Sequence, residues 1–300
     1  MLDKASQQPS MSPAVSERSR RVEILTKVCI DDLLSAFGLG ELRYGRDLLR
    51  LIARVPTRRL ARQVATYDEI VGESGLAAGG AWALERMAHH VEVEGLENVP
   101  REGPLLLAAN HPGLSDAVAL FATTPRADLR VLAAERPFLN ALPNTSRYLL
   151  TVPEQPQVRF RLVRRATRHL RGGGAVLTFP GGKIEPDPAV LPGAVEALAH
   201  WSASVDLFAR LVPDLVVVPV IVSGVVSPTA LRNPLTLLRR RKEDREWLAA
   251  TIQMVVPTLR NVNTRIAFGK PVHVDDSADR SVSRTILGEA RRLLEQGGAR

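Results

Sequence analysis

The chain reads as an α/β protein, with a largely parallel mixed sheet flanked by helices and an N-terminal helical segment in front of it. Two observations predict this. From Val91 onward, short apolar runs of the buried-strand type (104–109, 129–134, 175–179 and 215–222) alternate with helical stretches, as parallel strands joined by crossover helices require. Before Val91 the periodicity is helical only. The expected division is a disordered arm over 1–21, a helical, membrane-contacting segment over 22–90, and an α/β domain over 91–300.

Taken in order, residues 1–21 are rich in Ser, Gln, Pro and Arg and lack the apolar central block of a secretion signal. Between Val22 and His90, Leu42, Leu48, Leu49, Ile52 and Val55 recur at helical spacing, while Arg43, Arg46, Arg50 and Arg54 form another stripe. Pro56 is expected to interrupt this helix, after which Arg58, Arg59 and Arg62 continue its basic character. A basic amphipathic helix suits an anionic membrane surface, and a packed helix with a solvated arginine face is the competing reading. Gly72, Gly75, Gly79 and Gly80 are expected to loosen the chain before a helix over 81–88. His89 and His90 are adjacent, so they do not share a helix face and lack zinc-ligand spacing.

Val91 to Glu94 alternates as a half-buried strand, 95–103 is a loop, and 104–109 is a buried strand. A helix over 117–122 and a strand over 129–134 follow, the latter ending in Glu135-Arg136-Pro137-Phe138. Prolines prevent 142–156 from being one regular element. Gln157 to Arg171 is a strongly basic helix ended by Gly172-Gly173-Gly174, and 175–179 is a buried strand. The β-branched run 215–222, a charged helix over 243–255, a short strand over 265–268 and a helix over 284–295 complete the chain, with no internal repeat.

Composition narrows the function. A net charge of +8 favours an anionic partner. With only 4% aromatic residues there is little material for base stacking, so nucleic acid ranks below membrane and no nucleic-acid partner is expected. The lone Cys29 excludes an internal disulfide and a cysteine-based zinc site, reads as a small core residue, and is compatible with a reducing cytosol. No apolar run of about 18 residues is present, so membrane contact is expected to be peripheral. No metal site is expected.

The chemistry concentrates in two turns. In Asn110-His111-Pro112-Gly113-Leu114-Ser115-Asp116, the chain leaves a buried strand, breaks, and enters a helix. On one continuous helix, side chains five positions apart are rotated by about 500°, a divergence of roughly 140°. With His111 on the turn and Asp116 in the first helical turn, the carboxylate can fold back onto the imidazole. It would then fix the tautomer and steady the charged form, as a general base needs. The second turn is Phe179-Pro180-Gly181-Gly182-Lys183, again after a buried strand. It is not a phosphate-binding P-loop, because Ile184 stands where a hydroxyl residue is required. Gly-Leu-Ser-Asp-Ala around Ser115 is not a nucleophile elbow. Gly172 to Gly174 end a helix and so cannot form a dinucleotide fingerprint.

The two turns together resemble a known family. The stretch 110–116 resembles the His-x4-Asp block of the glycerolipid acyltransferases, the lysophosphatidic acid acyltransferase superfamily, and 179–183 resembles its Phe-Pro-Glu-Gly block. Val218-Pro219-Val220 resembles the apolar-Pro block that follows, and 91–100 resembles the family's lead-in. The likeness covers roughly 90–275. It departs at Gly181, where the family usually has Glu, at Lys183-Ile184 in place of Thr-Arg, and in the intermediate block, where no arginine is evident between Tyr148 and Glu154.

The resemblance implies transfer of a fatty acyl group from a thioester, acyl-CoA or acyl carrier protein, to a hydroxyl of a lysophospholipid or related glycerolipid. No cofactor beyond that donor substrate is implied. On the family pattern His111 deprotonates the acceptor hydroxyl and Asp116 orients it. Asn110, Phe179, Pro180, Gly181, Gly182 and Lys183 would line the acceptor site, with the Gly182 amide and Lys183 as anion donors. Arg136 and Arg159 are candidate substitutes for the absent arginine. The expected setting is cytoplasmic and peripherally membrane-associated. A lipid-binding protein on the same fold without catalysis is the alternative.

Overall fold

The computed structural model describes residues 13–42, 44–153, 155, 157, 159–260, 262–274 and 281–298. Two long helices come first, α1 (Pro13–Ala36) and α2 (Arg46–Leu84). Strand β1 (His90–Glu94) leads to β2 (Leu105–Ala109), α3 (Asp116–Thr123) and β3 (Arg130–Ala134). The short helices α4 (Pro137–Asn140) and α5 (Pro143–Ser146) precede β4 (Leu149–Val152), and α6 (Arg159–Arg171) returns the chain to β5 (Ala175–Thr178). A short α7 (Ala194–Ala197) and α8 (Ser204–Leu211) lead to β6 (Val216–Ser223). The remainder is a short α9 (Pro228–Leu231), α10 (Lys242–Val255), β7 (Asn263–Phe268), β8 (Val272–His273) and α11 (Val282–Gly298).

Among the described residues the strands form one eight-stranded sheet of order β1-β7-β6-β2-β5-β3-β4, with β8 also on β6. All pairings are parallel except those of β6 with β7 and β8. The expected mixed, mostly parallel sheet is therefore present. Each strand separates two apolar layers by its period of two. Leu105, Leu107 and Ala109 pack with Leu120 and Phe121 of α3 and with Ala61, Ala65 and Val71 of α2. Leu106 and Ala108 pack on the opposite face with Leu170 of α6, Phe208 of α8 and Ile286 of α11. This two-sided burial is why the strands read as continuous apolar runs and not as alternating ones. Pro219 is tolerated inside β6 because it lies between the stretches that pair with β8 and with β7.

The N-terminal helices differ from expectation in three ways, each with a packing reason. Helix α1 begins at Pro13, inside the stretch expected as an arm, and residues 1–12 lie outside the described residues. Its buried Val22 and Leu25 join the core of the sheet's α2 face. Pro56 does not end α2; the helix continues through it, with Ala53, Thr57, Leu60 and Ala61 buried around the proline. The glycines do not loosen the chain either. Only Gly75 departs from helical geometry (φ 88°), where it kinks α2. A methyl group on Gly80 would lie 2.8 Å from the Ala122 nitrogen of α3, so this glycine permits close packing. Helix α2 is thereby seated against α3, which carries Asp116.

The arginine stripe of α2 is partly spent on α1: Arg50 pairs with Asp31 at 2.9 Å and Arg54 with Glu23 at 3.4 Å. Of the apolar stripe, Leu49 packs partly against the core shared by α1 and α2, while the others are exposed together with Leu51. Leu48, Leu51, Ile52 and Val55 are 62%, 65%, 64% and 78% exposed. Among the described residues no helix is long and apolar enough to cross a membrane.

Candidate active site

Register brings the sequence blocks together. Strand β2 lies between β5 and β6, with Ala108 beside Thr178 on one side and Pro219 on the other. All three strands run in parallel, so the turns after β2 and β5 emerge side by side at the carboxyl end of the sheet. In open α/β sheets that end is where ligands are bound. His111 and Phe179 stack there with ring centroids 4.6 Å apart and planes inclined by 29°.

Asp116 is fully buried at the first turn of α3, and its Oδ2 lies 2.6 Å from His111 Nδ1. The expected fold-back of the carboxylate is present. Two backbone groups hold the acid in place: Gly113 N–H donates to Oδ2 at 3.2 Å and Ala117 N–H to Oδ1 at 2.6 Å. With Nδ1 engaged by a carboxylate, the proton of the neutral ring resides on Nδ1, and Nε2 carries the lone pair. The His111 side chain is 28% exposed. Burial lowers the imidazole pKa. The charge and hydrogen bond of Asp116 and the charge of Glu185 outweigh burial and hold it above the ordinary value.

The other predicted site residues divide. Asn110 is not a ligand-facing group. It is buried, its Nδ2 donates to Val222 O at 2.9 Å, and its Oδ1 accepts Val222 N–H at 2.7 Å. Both ends of the amide are used to pin the β2 turn to β6. Phe179 is the plate against which His111 packs, and the Pro180 carbonyl accepts the Ser202 N–H at 3.0 Å. The Gly182 amide is not an anion donor, because it closes its own turn onto Phe179 O at 3.0 Å, with Gly182 at φ 66°. Lys183 is exposed and makes no hydrogen bond or ion pair among the described residues. Arg136 is exposed after β3 and exerts its charge on Asp32 of α1. Arg159 is exposed at the start of α6. Among the described residues neither arginine contacts the His111–Asp116 pair.

Sequence reasoning passed over two buried acids. Glu185 Oε2 accepts the His111 N–H at 2.8 Å, its Oε1 accepts Trp201 Nε1–H at 2.8 Å, and its own N–H donates to His111 O at 2.8 Å. Asp187 is fully buried and accepts the N–H groups of Gly224, Val225 and Val226, each at 2.8 Å, and of Ala189 at 3.0 Å. Burial pushes its pKa up against those four donors. The loop it gathers packs on the His111 turn, since a methyl on Gly113 would lie 3.0 Å from Val225 Cγ2. One available signal was the pair of acids at 185 and 187, both flanked by proline just after a glycine turn.

The fold and site define a class: an α/β protein with a His–Asp pair at a strand-to-helix turn on the carboxyl end of its sheet. The acyltransferase family model matches residues 90–223 of this chain. No curated protein matches the chain. Among solved structures, the 1-acyl-sn-glycerophosphate (LPA) acyltransferase PlsC from Thermotoga maritima is similar, with 18% identity and a TM-score of 0.44. The alignment covers 94% of this chain and 98% of that one.

Proposed function

We propose that the protein moves a fatty acyl group from a thioester to a hydroxyl of a lysophospholipid or related glycerolipid, with His111 as general base and Asp116 as its orienting carboxylate. The observation that carries the reading is the 2.6 Å contact between His111 Nδ1 and the buried Asp116 carboxylate, on a histidine whose side chain is partly exposed. In the reaction, Nε2 takes the proton from the acceptor O–H as the oxygen attacks the thioester carbonyl. The C–S bond then breaks, the ester C–O bond remains, and the imidazolium returns its proton to the departing thiolate. The donor is acyl-CoA or acyl carrier protein, and no metal or cofactor enters the step.

A lipid acceptor requires the enzyme to meet its substrate at a membrane surface. The exposed apolar stripe of Leu48, Leu51, Ile52 and Val55, beside the exposed Arg58 and Arg62, supports peripheral binding to an anionic bilayer.

The test is thiol release by the purified chain with acyl-CoA or acyl carrier protein, with and without lysophosphatidic acid on anionic vesicles, and with His111→Ala alongside. Release that depends on acceptor and is lost in the variant is the expected result. Vesicle binding without release across several lysolipid acceptors would replace the proposal by the non-catalytic lipid binder.

A further inference from the structure

We propose that Glu185 is the second positioning residue of His111, gripping its peptide and occupying the space beside it that Gly181 leaves open. The inference rests on the reading of His111 as a base. Asp116 holds the ring of His111, while Glu185 holds its backbone from both sides: the carboxylate accepts the His111 N–H at 2.8 Å, and the Glu185 N–H donates to the His111 carbonyl at 2.8 Å. A histidine on a strand-to-helix turn has lost the sheet ladder that fixed the preceding residues, so this reciprocal pair supplies the restraint.

Gly181 makes room for the acid. A methyl group there would stand 2.8 Å from Glu185 Oε1 and 2.9 Å from Cδ, well inside contact distance. A side chain at 181 and a carboxylate from 185 therefore exclude each other. The glycine that departs from the family block and the buried glutamate four residues later form one arrangement. Trp201 completes it by donating Nε1–H to Oε1 at 2.8 Å. Because both oxygens accept N–H bonds, the site is built for the ionised form, although burial pushes the acid's pKa up. The charged groups acting on His111 are Asp116 and Glu185, and both favour the imidazolium that proton abstraction creates.

The test uses the full chain and reads His111 directly. A glutamine at 185 can accept only one of the two N–H bonds, so Glu185→Gln is made together with Trp201→Phe, which removes the competing donor. The imidazole is titrated by NMR in Trp201→Phe and in the double variant. The expected result is a downward shift of the His111 pKa in the double variant; an unmoved pKa overturns the proposal. In the acyl-transfer assay kcat is expected to fall about tenfold, as weakening of one charge-assisted hydrogen bond to a neutral one predicts, with KM unchanged. A rise in KM alone overturns it.

Should the double variant not fold, a cycle of Gly181→Ala, Glu185→Ala and both together, followed by urea unfolding, decides the contact. Gly181→Ala is expected to destabilise the native chain and to cost much less once Glu185 is truncated, whereas additive losses overturn the proposal. A native chain that releases no thiol would sink the acyltransferase reading alone, since the titration and the cycle need no turnover.

Discussion

Replacing Asp116 by Asn is the most informative single change, because it keeps shape and removes charge. The carboxylate is fully buried and has three partners: His111 Nδ1 at 2.6 Å, Ala117 N–H at 2.6 Å and Gly113 N–H at 3.2 Å. An amide that keeps accepting from Ala117 must turn its NH2 toward the ring. The imidazole proton then moves to Nε2, and the lone pair needed for the acceptor hydroxyl is lost. Such a tautomer inversion costs about 10³–10⁴ in rate, equivalent to ~4–5.5 kcal/mol of barrier. Breaking a buried charged pair also costs about 3–5 kcal/mol of stability, so urea unfolding is measured in parallel to keep the assay within the folded range.

The pH dependence follows from the same contact. The folded pKa of His111 is raised, so the base form appears only above the ordinary 6.5, and the rising limb of kcat/KM is expected there. Stability runs the other way. The part contributed by the charged pair is fully present below about 6.5 and is lost as pH rises through the folded pKa. Residual activity in Asp116→Asn is expected to have its limb moved to lower pH. A variant with thiol release within tenfold of native, or with an unmoved limb, would refute the orienting role.

Other changes test the supports. Asn110→Ala leaves the Val222 N–H and C=O without their side-chain partners inside the sheet; about 1–3 kcal/mol for each unsatisfied group is expected in urea unfolding. Leu48→Glu with Ile52→Glu is expected to leave the melting temperature unchanged, both residues being exposed, and to weaken partitioning onto anionic vesicles by at least about tenfold, from ~1.5–3 kcal/mol per lost apolar side chain. Unchanged sedimentation with vesicles would remove α2 from the membrane contact. Gly80→Ala places a methyl 2.8 Å from the Ala122 nitrogen and should cost ~1–3 kcal/mol by pushing α2 from α3, with activity falling as Asp116 shifts.

Much of the site was legible locally. The two blocks each sit where a buried apolar run meets a glycine–proline turn, and such a junction places side chains at the end of a parallel strand whatever lies elsewhere. The His111–Asp116 contact is likewise local, since five residues of turn and one helical turn determine its geometry. The N-terminal helices show where local rules fail. Gly79 and Gly80 signal a loose chain when read alone, yet Gly80 marks close approach to α3 and Gly79 close approach of Tyr67 and Val71 within α2. Pro56 signals a break, yet its neighbours are buried tightly enough to carry the helix through it. Local propensity of a few kcal/mol yields to packing on a sheet face.

By itself the sequence determined the order of β1, β2, β3, β5, β6 and β7 along the chain, the buried character of β2, β5 and β6, and the spacing of the His–Asp pair, because those depend on spacing and period, whereas β4 and β8 were not evident. Only the tertiary structure decided which polar groups serve that pair. Asn110 was drawn into β6 because two backbone groups of Val222 needed partners, and the Gly182 amide was consumed by its own turn. Glu185 reached His111 from seventy-four residues away because β2 and β5 are neighbours in the sheet. Such contacts depend on register between distant segments, and a hydrogen bond across two strands leaves no period in the sequence that makes it.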